Sequence, residues 1–198
     1  MSFAKKISYF AILTAITVVL QFVGGSIHLG PVNVNLTLIP LVLCGMILGV
    51  KYSTGLGAII GVVFLIQGIS GLEPFTGALF YASPVVLSLV CVLKTTFAGA
   101  VGAVVYKALY NKNKYLATFC SAGAVPVVNT GVFILGMFFL KTPLYDYLAS
   151  AGLDVSGMNP LYVILVIIVT YNFFIEFAVN LLLAPAVYKV ITIIDKNR

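Results

Sequence analysis

The sequence predicts an all-α membrane protein: a bundle of six transmembrane helices with both termini in the cytoplasm. Three observations lead there. The first is composition, since 62% of the 198 residues are hydrophobic and 8% are charged, against roughly 25% charged in ordinary soluble domains. A soluble fold of this size has no interior large enough to hide that much apolar surface, whereas lipid covers it. The second is the spacing of six apolar segments, which use up the chain as one transmembrane domain over residues 1–198. The third is the one-sided placement of lysine and arginine.

The segments run Ile7 to Gly24, Leu36 to Val50, Thr54 to Ile69, Phe80 to Leu109, Tyr115 to Leu140 and Leu161 to Ile194. The first follows Lys5 and Lys6 in the manner of a signal peptide. No small-residue cleavage pattern follows and more apolar segments do, so it reads as a first span. The second and third are short, about 23 Å at the helical rise, and are expected in protected positions or leaving the membrane early. The fourth and sixth are overlong and are expected to tilt, kink or begin in an external loop. Pro84 suits the first turn of the fourth, and Pro185 is expected to kink the sixth or mark where it emerges.

With the N-terminus inside, the cytoplasmic side holds Lys5, Lys6, Lys51, Lys107, Lys112, Lys114, Lys189, Lys196 and Arg198. The outside holds Lys141, and Lys94 falls within a span. That bias fixes the orientation and explains the net charge of +6 without nucleic acid. Inner connections are short (Lys51–Ser53 and Asn111–Lys114). Outer ones (Gly25–Asn35, Ser70–Gly77 and Lys141–Pro160) are longer and rich in turn residues, a pattern that suits lids over a site. A plasma-membrane, multi-pass protein is expected.

Enzyme signatures are missing from the sequence. The one histidine, His28, sits in the first outer loop, so no Ser–His or Cys–His pair can form within the spans. There is no Walker motif, no HExxH and no aspartate cluster for Mg²⁺. Cys44, Cys91 and Cys120 lie in apolar segments without CxxC spacing and read as small hydrophobes. No catalytic residue, cofactor or metal is expected.

Ionisable and amide groups within spans are costly in lipid and therefore carry a functional hypothesis. Lys94 lies well inside the fourth segment. Asn172, Glu176 and Asn180 stand at i, i+4 and i+8 on one face of the sixth. Asn129 sits between Pro126 and Gly131 in the fifth. One cation, one anion and several amides on three spans suggest a small polar cavity, rimmed by Asn33, Asn35, Gln67, Phe75, Phe80 and Tyr81. Each residue also has a structural reading: Lys94 and Glu176 as an interhelical pair, and the asparagines as interhelical hydrogen bonds. Small residues four apart mark close helix approach: Ala11/Ala15 in the first segment, then Gly45/Gly49, Gly57/Gly61 and Gly99/Ala103, the last three read as packing within the bundle.

Taken in order, the chain resembles the substrate-binding S components of energy-coupling factor (ECF) vitamin transporters. The resemblance spans essentially the whole length. It rests on Ala11-x-x-x-Ala15, Asn35-Leu36-Thr37-Leu38-Ile39-Pro40, Gly45-Met46-Ile47-Leu48-Gly49, Tyr52-Ser53-Thr54-Gly55, Lys94-Thr95, Pro126-Val127-Val128-Asn129-Thr130-Gly131 and Glu176-x-x-x-Asn180 followed by Pro185. It implies a subunit that binds a vitamin or precursor under its first, third and fifth loops. Such a subunit docks on a transmembrane coupling (T) subunit through Ala11 and Ala15. The T subunit transmits work from two cytoplasmic ATPases, and the S component topples in the membrane to release its substrate inside.

The binding residues implied are Lys94, Asn129, Asn172, Glu176, Asn35, Asn33, Gln67 and Tyr81. Lys94 suits a carboxylate, and the asparagines suit hydroxyl and amide groups, so pantothenate matches best. The flavour of the chain is that of the pantothenate- and riboflavin-type branches, and riboflavin or another vitamin is the alternative. The other classes weighed are a stand-alone secondary transporter coupled through protons on Glu176, and a membrane enzyme or assembly factor.

Overall fold

The computed structural model describes residues 1–24 and 35–196, together with the backbone of 28–29 and 32–33. Eight helices follow in order among these residues: α1 (Phe3–Gly24), α2 (Leu38–Leu48), α3 (Val50–Ile69), α4 (Pro74–Ala82), α5 (Pro84–Tyr110), α6 (Lys114–Phe139), α7 (Lys141–Ser150) and α8 (Pro160–Lys196). Two short antiparallel strands, β1 (His28–Leu29) and β2 (Val32–Asn33), join α1 to α2, with His28 opposite Asn33. The side chains of His28 and Asn33, and all of Arg198, lie outside the described residues.

Five helices (α1, α3, α5, α6 and α8) are long and apolar enough to cross a membrane, and α2 is a shorter apolar helix. Their outward faces carry large apolar side chains, with Phe139 80% and Leu182 78% exposed. That is the pattern of a bundle solvated by lipid. The eleven residues of α2 span only about 16 Å at the helical rise. This helix survives by burial: Leu38, Leu41 and Cys44 are wholly enclosed as it packs among α1, α3, α5, α6 and α8.

Several sequence expectations shift by local chemistry. The turn expected at Lys51–Ser53 falls instead at Gly49, whose φ of 87° lets α2 end and α3 begin across one residue. Glycine alone adopts that conformation freely, and Lys51–Ser53 then forms the first turn of α3. The overlong fourth segment is broken at Ser83: its first residues close α4, which begins at Pro74 in the expected second outer loop, and the rest forms α5. Pro84 opens α5 and pushes Ser83 out of helical geometry, to φ −150° and ψ 77°. The expected third outer loop is partly helical: Leu144 and Leu148, four apart and fully buried, seat α7 against α4. After α7 the chain turns at Asp154. The Ser156 hydroxyl and amide both donate to its carboxylate and hold it below the usual carboxylate range. Helix α6 runs through Pro126 and α8 through Pro185. Cys44 and Cys91 are buried as expected of small hydrophobes, whereas Cys120 is exposed.

Helix α5 is the centre of the bundle, packed on α3 and α6 and touching α2 and α4. Its crossing with α3 is close because Gly57 and Gly61 leave room. A Cβ on Gly57 would meet the Thr95 carbonyl oxygen at 2.3 Å, and one on Gly61 would meet the backbone at Cys91 and Val92 at 2.5 Å. The Thr95 hydroxyl donates to the Gly57 carbonyl across that contact, at 2.6 Å. Replacing Gly61 by valine is expected to force the helices apart and cost about 1–3 kcal/mol, read as a lowered apparent Tm of the purified protein in detergent.

The chain ends meet at one end of the bundle. Met1, Lys5 and Ile194 share one hollow, and Lys6, Lys107 and Asn111 another. Lys114 at the start of α6 pairs with Asp195 near the end of α8 at 3.2 Å, and the Tyr110 hydroxyl donates to the same carboxylate at 3.0 Å.

Candidate functional site

Buried apolar side chains form two clusters along the bundle. One contains Ile60, Ala98, Val125 and Ala184. The other contains Phe64, Cys91, Met137 and Val169. On each long helix the polar residue of interest falls between the two: Lys94 on α5, Asn129 on α6, Asn172 and Glu176 on α8. The same residues line one cavity with Asn35, Phe64, Thr130, Phe133, Ile168, Val169 and Phe173, and its volume is about 40 Å³. Five of the eight residues singled out from the sequence therefore meet at one place.

The close α3–α5 crossing builds one wall. One turn beyond Gly61 and Cys91 stand Phe64 and Lys94, and the Lys94 ammonium lies 4.2 Å from the Phe64 ring centroid and 5.2 Å from that of Phe133. Desolvated cation–π contacts of this sort contribute about 2 kcal/mol. Lys94 is 7% exposed, and the pairing with Glu176 weighed from the sequence is not formed. Among the described residues the ion pair is Lys114–Asp195, and no carboxylate oxygen lies within 4.0 Å of the Lys94 ammonium.

The Glu176 carboxylate has a different partner. Its Oε1 accepts the Asn35 backbone N–H at 3.0 Å, tying α8 to the segment that leads into α2. The Asn35 side-chain oxygen in turn accepts from the Thr37 amide at 3.1 Å and from the Thr37 hydroxyl, so the start of α2 is organised around this contact. Removing the acceptor would leave the Asn35 amide buried and unpaired. Glu176→Ala is therefore expected to cost about 1–3 kcal/mol, whereas Glu176→Gln, which keeps an acceptor oxygen, is expected to retain most of the stability. Thermal unfolding of the two variants side by side checks this.

Two further polar atoms of cavity-lining residues have no partner among the described residues. The side-chain oxygens of Asn129 and Asn172 are buried without a hydrogen bond, where buried polar groups are ordinarily paired. Asn180, on the same face of α8, is turned to a structural use: its amide donates to the Glu176 carbonyl at 2.8 Å. Just ahead of Asn172, Val163–Val169 is wound as a π-helix, a rare form frequent at functional sites. Its last two residues, Ile168 and Val169, are cavity walls.

Two of the sequence-named residues are elsewhere. Gln67 accepts from the Gln21 side-chain amide at 2.8 Å, clasping α3 to α1, and does not line the cavity. Tyr81 is 72% exposed and donates to the Ile69 carbonyl at 3.2 Å. The side chain of Asn33 lies outside the described residues. Phe75 stands one layer back, its ring 6.3 Å from that of Phe133. Sequence reasoning passed over Phe64, Phe133 and Phe173 because phenylalanine in an apolar span carries no signal of its own. It missed Gln21 because its partner lies 46 positions away.

Five long apolar helices thus gather charged and amide side chains on one cavity. Residues 5–188 match the family described as ECF transporter, substrate-specific component. The chain belongs to this family. As an ECF substrate-specific component it is a substrate-binding transporter subunit and not an enzyme, and it is a multi-pass protein of the plasma membrane. No curated protein matches the chain. Within the ECF component, Ala11 and Ala15 lie exposed on α1, and no residue of α1 lines the cavity.

Proposed function

We propose that this ECF substrate-specific component captures a vitamin or vitamin precursor, best matched by pantothenate, in the cavity among α3, α5, α6 and α8. It then delivers the substrate with a T subunit and two cytoplasmic ATPases. The observation that carries the reading is the convergence of Asn35, Lys94, Asn129, Asn172 and Glu176 on one cavity, because polar groups brought together at such cost in an apolar bundle are there to meet a ligand. A six-span arrangement, with buried α2 as the sixth, accounts for both chain ends lying at one end of the bundle. The basic character of that end, with Lys5, Lys6, Lys107 and Lys114, supports a cytoplasmic position for it.

Ala11 and Ala15 on the outward face of α1 supply a shallow strip on which another helix seats closely, and they serve as the docking surface for the T subunit. The test is coexpression with a T subunit and two ATPases, copurification, and reconstitution into liposomes with labelled pantothenate. ATP-dependent uptake that needs all partners is the expected result. Uptake by the chain alone, driven by a proton gradient, would replace this reading with that of a secondary transporter coupled through Glu176.

A further inference from the structure

We infer that the hollow holding Lys6 and Lys107, at the basic end of the bundle, binds the phosphate headgroup of an anionic phospholipid. The inference is independent of the cavity among the long helices and of the molecule that cavity takes. It needs only that the chain spans a bilayer, which supplies the occupant.

The hollow is lined from α1, α2, the start of α3 and α5, and its volume is about 450 Å³, within the roughly 300–1,000 Å³ usual for a small-molecule site. Its inner wall is apolar, with Met46 and Ile47 of α2 buried. Two cations stand over that wall from different helices: Lys6 is half-buried on α1 and Lys107 is exposed on α5. No acidic residue lines the hollow. Among the described residues no carboxylate oxygen lies within 4.0 Å of either ammonium. Asp195, the acid that Tyr110 reaches from the hollow's edge, is engaged by Lys114. Gly49 and Val50 also line the space, so the positive end of the α3 peptide dipole adds to the field of the two lysines.

Two unneutralised cations over an apolar wall complement a molecule that is anionic at its head and apolar below it. Basic pockets between helices on the cytoplasmic side hold anionic lipid headgroups in this way, and that is the side proposed above for this end. The surroundings favour a lipid over a soluble phosphate. Ile7, next to Lys6, is 48% exposed, and Val104, one turn back along α5 from Lys107, is 52% exposed. Acyl chains leaving the hollow therefore meet apolar side chains, a surface that a soluble phosphate would leave unused.

The test uses the full chain, delipidated in detergent, with native mass spectrometry reading what is bound. The probes are dioctanoyl phosphatidylglycerol, dioctanoyl phosphatidylcholine and glycerophosphate, which carries the charge without the chains. Phosphatidylglycerol is expected to bind about 30-fold tighter than phosphatidylcholine, the ratio that two lysines supply, and glycerophosphate is expected not to compete. Lys6→Gln combined with Lys107→Gln is expected to remove the preference. Lys189→Gln combined with Lys196→Gln makes the same change of charge at exposed positions of α8 outside the hollow and is expected to keep it.

Equal affinity for the two lipids, or equal loss of preference in both double variants, would overturn the inference. Competition by glycerophosphate at the lipid's own concentration would make the hollow a soluble-phosphate site and contradict the lipid assignment. Unchanged phosphatidylglycerol binding by the Lys6/Lys107 variant, with loss of T-subunit copurification, would assign the hollow to that partner and contradict it too. The parent's behaviour toward the three probes decides the matter if a variant fails to fold.

Discussion

Lys94→Met is expected to abolish ligand binding and, in the absence of ligand, to leave the protein as stable as the parent or more so. The two effects have one cause. An ammonium buried between Phe64 and Phe133 with no carboxylate at contact distance is a standing cost to the free protein. Methionine has similar length, fits between aromatic rings and carries no charge. The ligand loses a charge-assisted contact, for which about 1.5–3 kcal/mol is usual, or roughly 10- to 150-fold in Kd. In a low-dielectric cavity the loss is expected at the upper end. Thermal unfolding with and without pantothenate reads both effects: the ligand-induced rise in apparent Tm disappears, while the ligand-free Tm holds or climbs. A fall in ligand-free Tm with binding unchanged would return Lys94 to a purely structural role.

Ala11→Trp is expected to do the reverse, leaving binding intact and blocking uptake. Ala11 and Ala15 stand exposed on α1, while the cavity is lined from α3, α5, α6, α8 and the segment before α2. An indole added at Ala11 projects outward, where it keeps a partner helix from the close approach that small residues permit. ATP-dependent uptake in proteoliposomes is expected to fall at least about tenfold, with loss of T-subunit copurification and an unchanged Kd. Leu182→Trp, on a lipid-facing part of α8 that is 78% exposed, is the control and is expected to have little effect. Wild-type uptake by Ala11→Trp would move the docking surface off α1.

Much of this was legible in the sequence because burying charge in lipid is costly enough to leave a mark. Lys94 and Glu176 stand out against apolar neighbours, and the i, i+4 spacing of Asn172 and Glu176 puts both on one helical face. Composition and segment spacing gave the class of fold, and Pro84 marked the start of α5. What stayed hidden depends on contacts between distant positions. Asn129 and Lys94 share a cavity through tertiary packing alone, and Gln67 turned to Gln21 instead of the cavity because α1 passes beside it. The division of α4 from α5 at Ser83 is masked by equally apolar neighbours on both sides. Helix α7 was hidden by its length, although Leu144 and Leu148 carried its spacing. The π-helical stretch Val163–Val169 is seven apolar residues with nothing in their identities to forecast the winding.

The most direct test of the cavity as the ligand site is native mass spectrometry of the protein purified from cells grown in rich medium, for the parent, Lys94→Met and Ala11→Trp. A single small-molecule adduct is expected on the parent and on Ala11→Trp, and none on Lys94→Met. The same adduct at the same occupancy on Lys94→Met would contradict the assignment of ligand binding to this cavity.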